Sequence, residues 1–238
     1  MGIFDIFKRK QKTNNRPLIL YSEVELDEYD SYIQACLGTY DKVYHELVSD
    51  VIHLDVIPIP PTEDCPYIKL VTMGAGAYRM NVPESFAKFE MEYAEYIIYV
   101  PKDWNLDSAD EKDYWPMRAL KSTARLPISS DTWLGYGHTV SMDAEGTPYA
   151  ENTKLNCILL VNALDQYGRR MKLKMSTGKT INFYQLVPIY GEELAYKQEH
   201  GSDALVDLLC ELPDFPAVDI DRKNVIIDSC EEKGEEER

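Results

Sequence analysis

Apolar and polar positions change period several times along the chain, and each change marks an element. Ser22 followed by Glu25 has the spacing of a capping box, in which hydroxyl and carboxylate each satisfy a free backbone N–H at a helix start. The pattern predicts a helix from Glu23 to about Cys36, with Gly38 as its stop. Strand-like runs follow at Lys42–Leu47, Val51–Ile57, Tyr67–Met73 and Tyr93–Val100. Pro58-Ile59-Pro60-Pro61 closes the second run, because proline has no N–H to give to a ladder. Gly74-Ala75-Gly76 reads as a turn. Trp115–Leu126 reads as a helix with Pro116 in its first turn. Leu155–Ala163 and Thr180–Ile189 read as strands, the latter entered through a hairpin turn at Thr177-Gly178. Glu192–Gln198 and Ser202–Leu212 read as helices.

Helices and strands do not alternate regularly, which favours an α+β fold over a doubly wound parallel sheet. The expectation is a mixed, largely antiparallel sheet packed with several helices in one compact domain. Its boundaries are set at 21–228, between a flexible segment over 1–20 and an acidic, disordered tail over 229–238.

Composition narrows the function classes. With 45% hydrophobic and 28% charged residues, the 238-residue chain has the make-up of a soluble globular protein. The net charge of -16 disfavours nonspecific nucleic-acid binding, whose affinity comes from Lys and Arg on phosphates, and it would steer a basic partner inward. The five cysteines have no C-x-x-C pair, so neither a zinc ribbon nor a thiol redox site is expected, and reduced thiols in a cytoplasm are the plain reading. No apolar run is long enough to span a bilayer, so stable membrane insertion is not expected. Ile3, Phe4, Ile6 and Phe7 followed by Lys8, Arg9, Lys10 and Lys12 leave room for a weak amphipathic contact at the amino terminus. Gly2 does not make a myristoylation signal, because Ile6 stands where Ser or Thr is wanted.

Val43–Asp55 is the densest stretch of candidate chemistry, with His45, Glu46, Asp50, His53 and Asp55. A zincin helix needs H-E-x-x-H, but Ser49 occupies the second histidine's place, and Val48, Val51, Ile52, Val56 and Ile57 favour a pleated surface. On a strand, His53 and Asp55 share a face, an arrangement open to a metal or to a structural hydrogen bond. Elsewhere, Arg79 breaks a dinucleotide fingerprint at Gly74-x-Gly76, and Leu173 stands where the P-loop's first glycine belongs. Glu95, inside an apolar run, must pair with a donor or reach solvent. The loop Asp131–Thr139 combines Trp133, Tyr136 and His138 with two glycines, suited to presenting an aromatic and an imidazole. Seventeen Tyr and three Trp suit a partner surface.

Several segments share an order that resembles the bacterial Suppressor of fused (SUFU-like) domain family. They are VYHELVSDVIHLDV (43–56), YIKLVTMGAGAYRMNVPE (67–84), YAEYIIYVPKDW (93–104), YWPMRALKSTARLP (114–127) and DTWLGYGHT (131–139), followed by NTKLNCILL (152–160) and FYQLVPIYGEEL (183–194). The resemblance spans roughly 30–212 and implies an α+β fold without enzymatic activity. The animal relative holds a peptide of Gli-type transcription factors as an added strand between two subdomains. For bacterial relatives it implies immunity proteins that neutralise toxins of polymorphic toxin systems.

The sequence therefore leads to a non-enzymatic protein-binding domain, with a basic toxin domain as the partner expected of an immunity protein. Trp133, Tyr136 and His138 are the expected partner surface; His53, Glu95 and His138 are expected to form a structural polar cluster. No catalytic residue, metal ligand or cofactor is assigned. The competing reading is a metal-dependent hydrolase using His45, Glu46, His53 and Asp55, supported by Glu95 and His138.

Overall fold

The computed structural model describes residues 17–227. Its frame is a seven-stranded mixed sheet: β1 (Asp55–Ile59), β2 (Tyr67–Met73), β3 (Tyr93–Pro101), β4 (Thr139–Ser141), β5 (Cys157–Asn162), β6 (Lys172–Lys174) and β7 (Thr180–Ile189). The order is β1-β2-β3-β7-β5-β4, with β6 pairing β7 off that path. Among the described strands only β3 and β7 pair in parallel; every other strand pair is antiparallel, as the sequence leads one to expect. Helices α1 (Glu23–Leu37), α2 (Glu111–Ser129), α3 (Gly191–His200) and α4 (Ser202–Leu209) surround it, and none of the described residues forms a helix long and apolar enough to cross a membrane.

The period-2 alternation of strand side chains builds a core on each face. Tyr96, Ile98 and Val100 of β3 join Tyr184 and Leu186 of β7 and Trp115 and Leu120 of α2. Ile97 and Tyr99 point the other way, with Ile181 and Phe183, onto Tyr29, Ile33 and Leu37 of α1. Farther along that sheet, Leu159 and Val187 meet Leu205 and Leu209 of α4. Strands covered on both sides read as continuous apolar runs, and all ten residues of β7 are buried.

Local chemistry fixes the element ends. Ser22 Oγ accepts from Glu25 N at 3.3 Å, and Glu25 Oε2 accepts from Ser22 N at 2.9 Å, completing the capping box. Helix α2 starts four residues before the expected Trp115, because Asp110 caps it by accepting from Lys112 N at 3.1 Å. Pro116 therefore lies inside the helix, where its missing N–H would have bonded the Lys112 carbonyl; Asn152 Nδ2 donates to that oxygen instead at 3.2 Å. Gly178, at φ +90°, makes the hairpin turn into β7.

Four expectations about elements and bounds are corrected. Lys42–Leu47 is not a strand but makes a single antiparallel bridge, Tyr44 to Val56. Strand β1 begins at Asp55 rather than Val51 and runs through Pro58, which an edge strand tolerates because the ring nitrogen faces away from β2, so no bond of that ladder is lost. The short strands β4 and β6 arise where no strand was expected. Ile19, placed in the flexible segment 1–20, bridges Ile52 and donates its N–H to Val51 O at 2.8 Å. The apolar-basic stretch at 3–12 and the tail at 229–238 lie outside the described residues.

Candidate functional site

Three constellations hold the candidate residues. The first is built where the 43–54 segment folds over the start of β1. Asp55 is buried, and its carboxylate faces both imidazoles: His45 Nδ1 lies 2.8 Å from Oδ2, and His53 Nε2 lies 2.9 Å from Oδ1. The backbone N–H of Glu46 also donates to Oδ1 at 2.8 Å. Burial pushes the Asp55 pKa up, but the bonds from His53, the Glu46 backbone and His45 outweigh it and hold the carboxyl below its usual range. Around this core Ser49 Oγ donates to Glu46 Oε2 at 2.8 Å and lies 2.7 Å from His53 Nδ1. Glu46 in turn receives Leu54 N at 3.1 Å and pairs with Arg125 of α2. The strand pairing expected of His53 and Asp55 is thus replaced by a loop-to-strand approach, and His45, also from the loop, joins the same carboxylate.

The second constellation surrounds Glu95 near the start of β3. Its Oε1 accepts from Tyr21 Oη at 2.8 Å and from Gly74 N and Gly76 N, each at 2.9 Å. Its Oε2 accepts from Thr72 Oγ1 at 2.5 Å. The carboxyl is fully buried, and burial raises its pKa to about 7 despite four donors. Gly74 makes this cradle possible. At φ +119°, with the His53 carbonyl oxygen 2.0 Å from where a Cβ would stand, no side chain fits there.

The third lies between the 3-10 helix Glu84–Phe89 and the 131–139 loop. Phe86 and Phe89 are 38% and 50% exposed, and the Phe86 ring leans on Trp133 with centroids 5.2 Å apart. The His138 ring lies 4.3 Å from that of Trp133, and burial lowers its pKa. Tyr136 is 37% exposed and donates its hydroxyl to Asp203 of α4.

The structure divides the expected His53–Glu95–His138 cluster among these three places. His53 takes Asp55 and Ser49, Glu95 takes hydroxyl and backbone donors, and His138 packs on Trp133. The hydrolase reading's His45, Glu46, His53 and Asp55 do come together, whereas Glu95 and His138 bond elsewhere. Sequence reading passed over Phe86, Phe89 and Arg125. The i, i+3 spacing of the two phenylalanines was the available signal; for Arg125, 79 residues from Glu46, there was none.

The described architecture recurs among known proteins. A chain of the Sufu–Fu complex crystal structure superposes with a TM-score of 0.63 at 14% identity, over 90% of this chain and 96% of that one. The Neisseria gonorrhoeae putative SUFU homolog gives 0.56 at 17% identity, over 84% and 95%. Drosophila Suppressor of Fused gives 0.62 at 14% identity, over 88% of this chain and 52% of that one. An uncharacterized protein of Ureaplasma parvum serovar 3 is 28% identical over 192 residues, which is 78% of this chain and 88% of the relative. The family model described as Suppressor of fused protein (SUFU) matches residues 50–223, and the chain belongs to that family.

Proposed function

We propose that this chain is a non-enzymatic protein-binding domain that acts as an immunity protein, holding a basic toxin domain through the aromatic surface around Trp133. The observation that carries the binding surface is the pair Phe86 and Phe89, 38% and 50% exposed, with the Phe86 ring tilted against both Phe89 and Trp133. Adjacent exposed aromatics supply rigid contact area, and such side chains commonly dominate interface energetics. Tyr136, on the same loop as Trp133, adds a ring whose hydroxyl is already held by Asp203. The net charge of -16 supports a basic partner, since complementary fields raise association rates. Family membership supports protein binding as the mode, and the Sufu–Fu complex is a relative seen with a protein partner.

Capture from the source cell with wild type and with the Phe86→Ala/Phe89→Ala double variant tests the surface. The wild type retains a basic partner that the variant loses. Expression of that partner alone arrests growth, and co-expression of the wild type restores it. Growth arrest that the wild type does not relieve would remove the immunity role, and equal capture by both proteins would remove the surface.

A further inference from the structure

The His45–Asp55–His53 group has more order than a structural hydrogen-bond knot requires. Its three ligand-type atoms lie within 4.8 Å of one another, two imidazole nitrogens and one carboxylate oxygen. That donor set suits zinc or a similar borderline divalent cation. The surroundings are directional. Ser49 has one hydroxyl proton, and it is committed to Glu46 Oε2 at 2.8 Å. Ser49 Oγ therefore meets His53 Nδ1, 2.7 Å away, as an acceptor, which places the ring hydrogen on Nδ1. His53 Nε2 then faces Asp55 Oδ1, 2.9 Å away. Either a second ring proton or a metal cation supplies the positive charge between that nitrogen and the carboxylate. Arg125 closes the outer ring by holding Glu46. An imidazole whose far N–H is fixed by a hydrogen-bond chain ending in a carboxylate is the usual outer support of a metal-bound histidine.

We propose that His45 Nδ1, His53 Nε2 and Asp55 bind one divalent transition-metal cation, zinc being the best match, with Ser49, Glu46 and Arg125 positioning His53. The cation would clip the two ends of the 45–53 loop to the first residue of β1. That loop carries Leu47 and Val48, 77% and 79% exposed, at its tip. Clipping its base limits how far those side chains wander. Binding displaces any proton on the two coordinating nitrogens into solvent, so no other reactant is needed. The site is separate from the aromatic surface, and its failure would leave that surface's test untouched.

The test uses the full chain, stripped with a chelator, held under a non-thiol reductant and titrated with cobalt(II). Expected is one cobalt per chain with visible ligand-field bands and no thiolate charge-transfer band, displaced by zinc, with the metal-loaded form melting higher. Partly exposed His45 can be removed with little disturbance, so His45→Ala folds and loses the bands. Ser49→Ala keeps the spectrum but binds about 10–100-fold more weakly, the effect expected of an outer support. Absence of cobalt bands in the wild type overturns the site, whatever the variants do. So do bands that survive His45→Ala, or a thiolate spectrum, which would assign the metal to cysteine.

Discussion

The hydroxyl of Tyr21, just before α1, donates to the carboxylate of Glu95 in the middle of the sheet, 2.8 Å away across 74 residues of sequence. With Gly74 N, Gly76 N and Thr72 Oγ1 it ties two separate segments to one buried acid.

That acid makes stability depend on pH. The Glu95 pKa rises from 4.5 to about 7 on folding, with burial as the largest cause. Below pH 4.5 both folded and unfolded chains carry the proton; between 4.5 and 7 the unfolded chain loses it while the fold keeps it. Stability therefore falls as pH rises through this window, by about 3 kcal/mol from this group, and then levels off. The neutral form fits the site: Oε2–H can donate to Thr72 Oγ1, whose own proton turns to Tyr96 O at 3.3 Å. Glu95→Gln presents the same donor, so it should fold and lose this part of the fall. Urea unfolding of both proteins at pH 4.5 and pH 7.5 measures the difference, and parallel slopes would contradict it.

Arg222 anchors the carboxyl-terminal described segment. It grips the fully buried Glu193 of α3 with both terminal guanidinium nitrogens, 2.7 Å on one side, and also donates to Pro188 O at 3.0 Å. Arg222→Ala leaves that carboxylate without its cation and should cost about 3–5 kcal/mol in chemical unfolding. Arg222→Lys should recover only part, because an ammonium cannot make the forked pair.

Trp133 and Phe89 should separate stability from binding. Trp133 packs against the core that holds Trp115, so Trp133→Ala should cost about 2–3 kcal/mol and lower the melting temperature by several degrees. Phe89 is half exposed, and Phe89→Ala should stay within about 0.5 kcal/mol of wild type. Thermal melts of the two variants side by side check this.

The legible parts of the fold were those with a local cause. The Ser22–Glu25 box showed where α1 begins, and β2, β3 and β7 showed as apolar runs because α1 and α2 cover both faces of the sheet. Three-residue strands such as β4 and β6 are too short to carry a period, and their pairing comes from neighbours distant in sequence. The alternation in Lys42–Leu47 misled because Glu46 spends its side chain on Ser49, Leu54 and Arg125 while its N–H goes to Asp55, so beyond the one Tyr44–Val56 bridge the segment folds onto β1 through side chains rather than a ladder. Composition drew attention to His45, His53 and Asp55, and these do converge. Glu95 and His138 stood out equally in sequence, but tertiary partners placed them at separate sites.

Binding kinetics of the captured partner, measured against salt for wild type and for Phe86→Ala/Phe89→Ala, test the central claim most directly. Association of the wild type should slow as ionic strength rises, because the acidic chain steers a basic partner. The double variant should keep its salt dependence and a melting temperature within a few degrees of wild type, yet dissociate about tenfold faster or more. Association indifferent to salt, with unchanged dissociation of the double variant, would contradict the account.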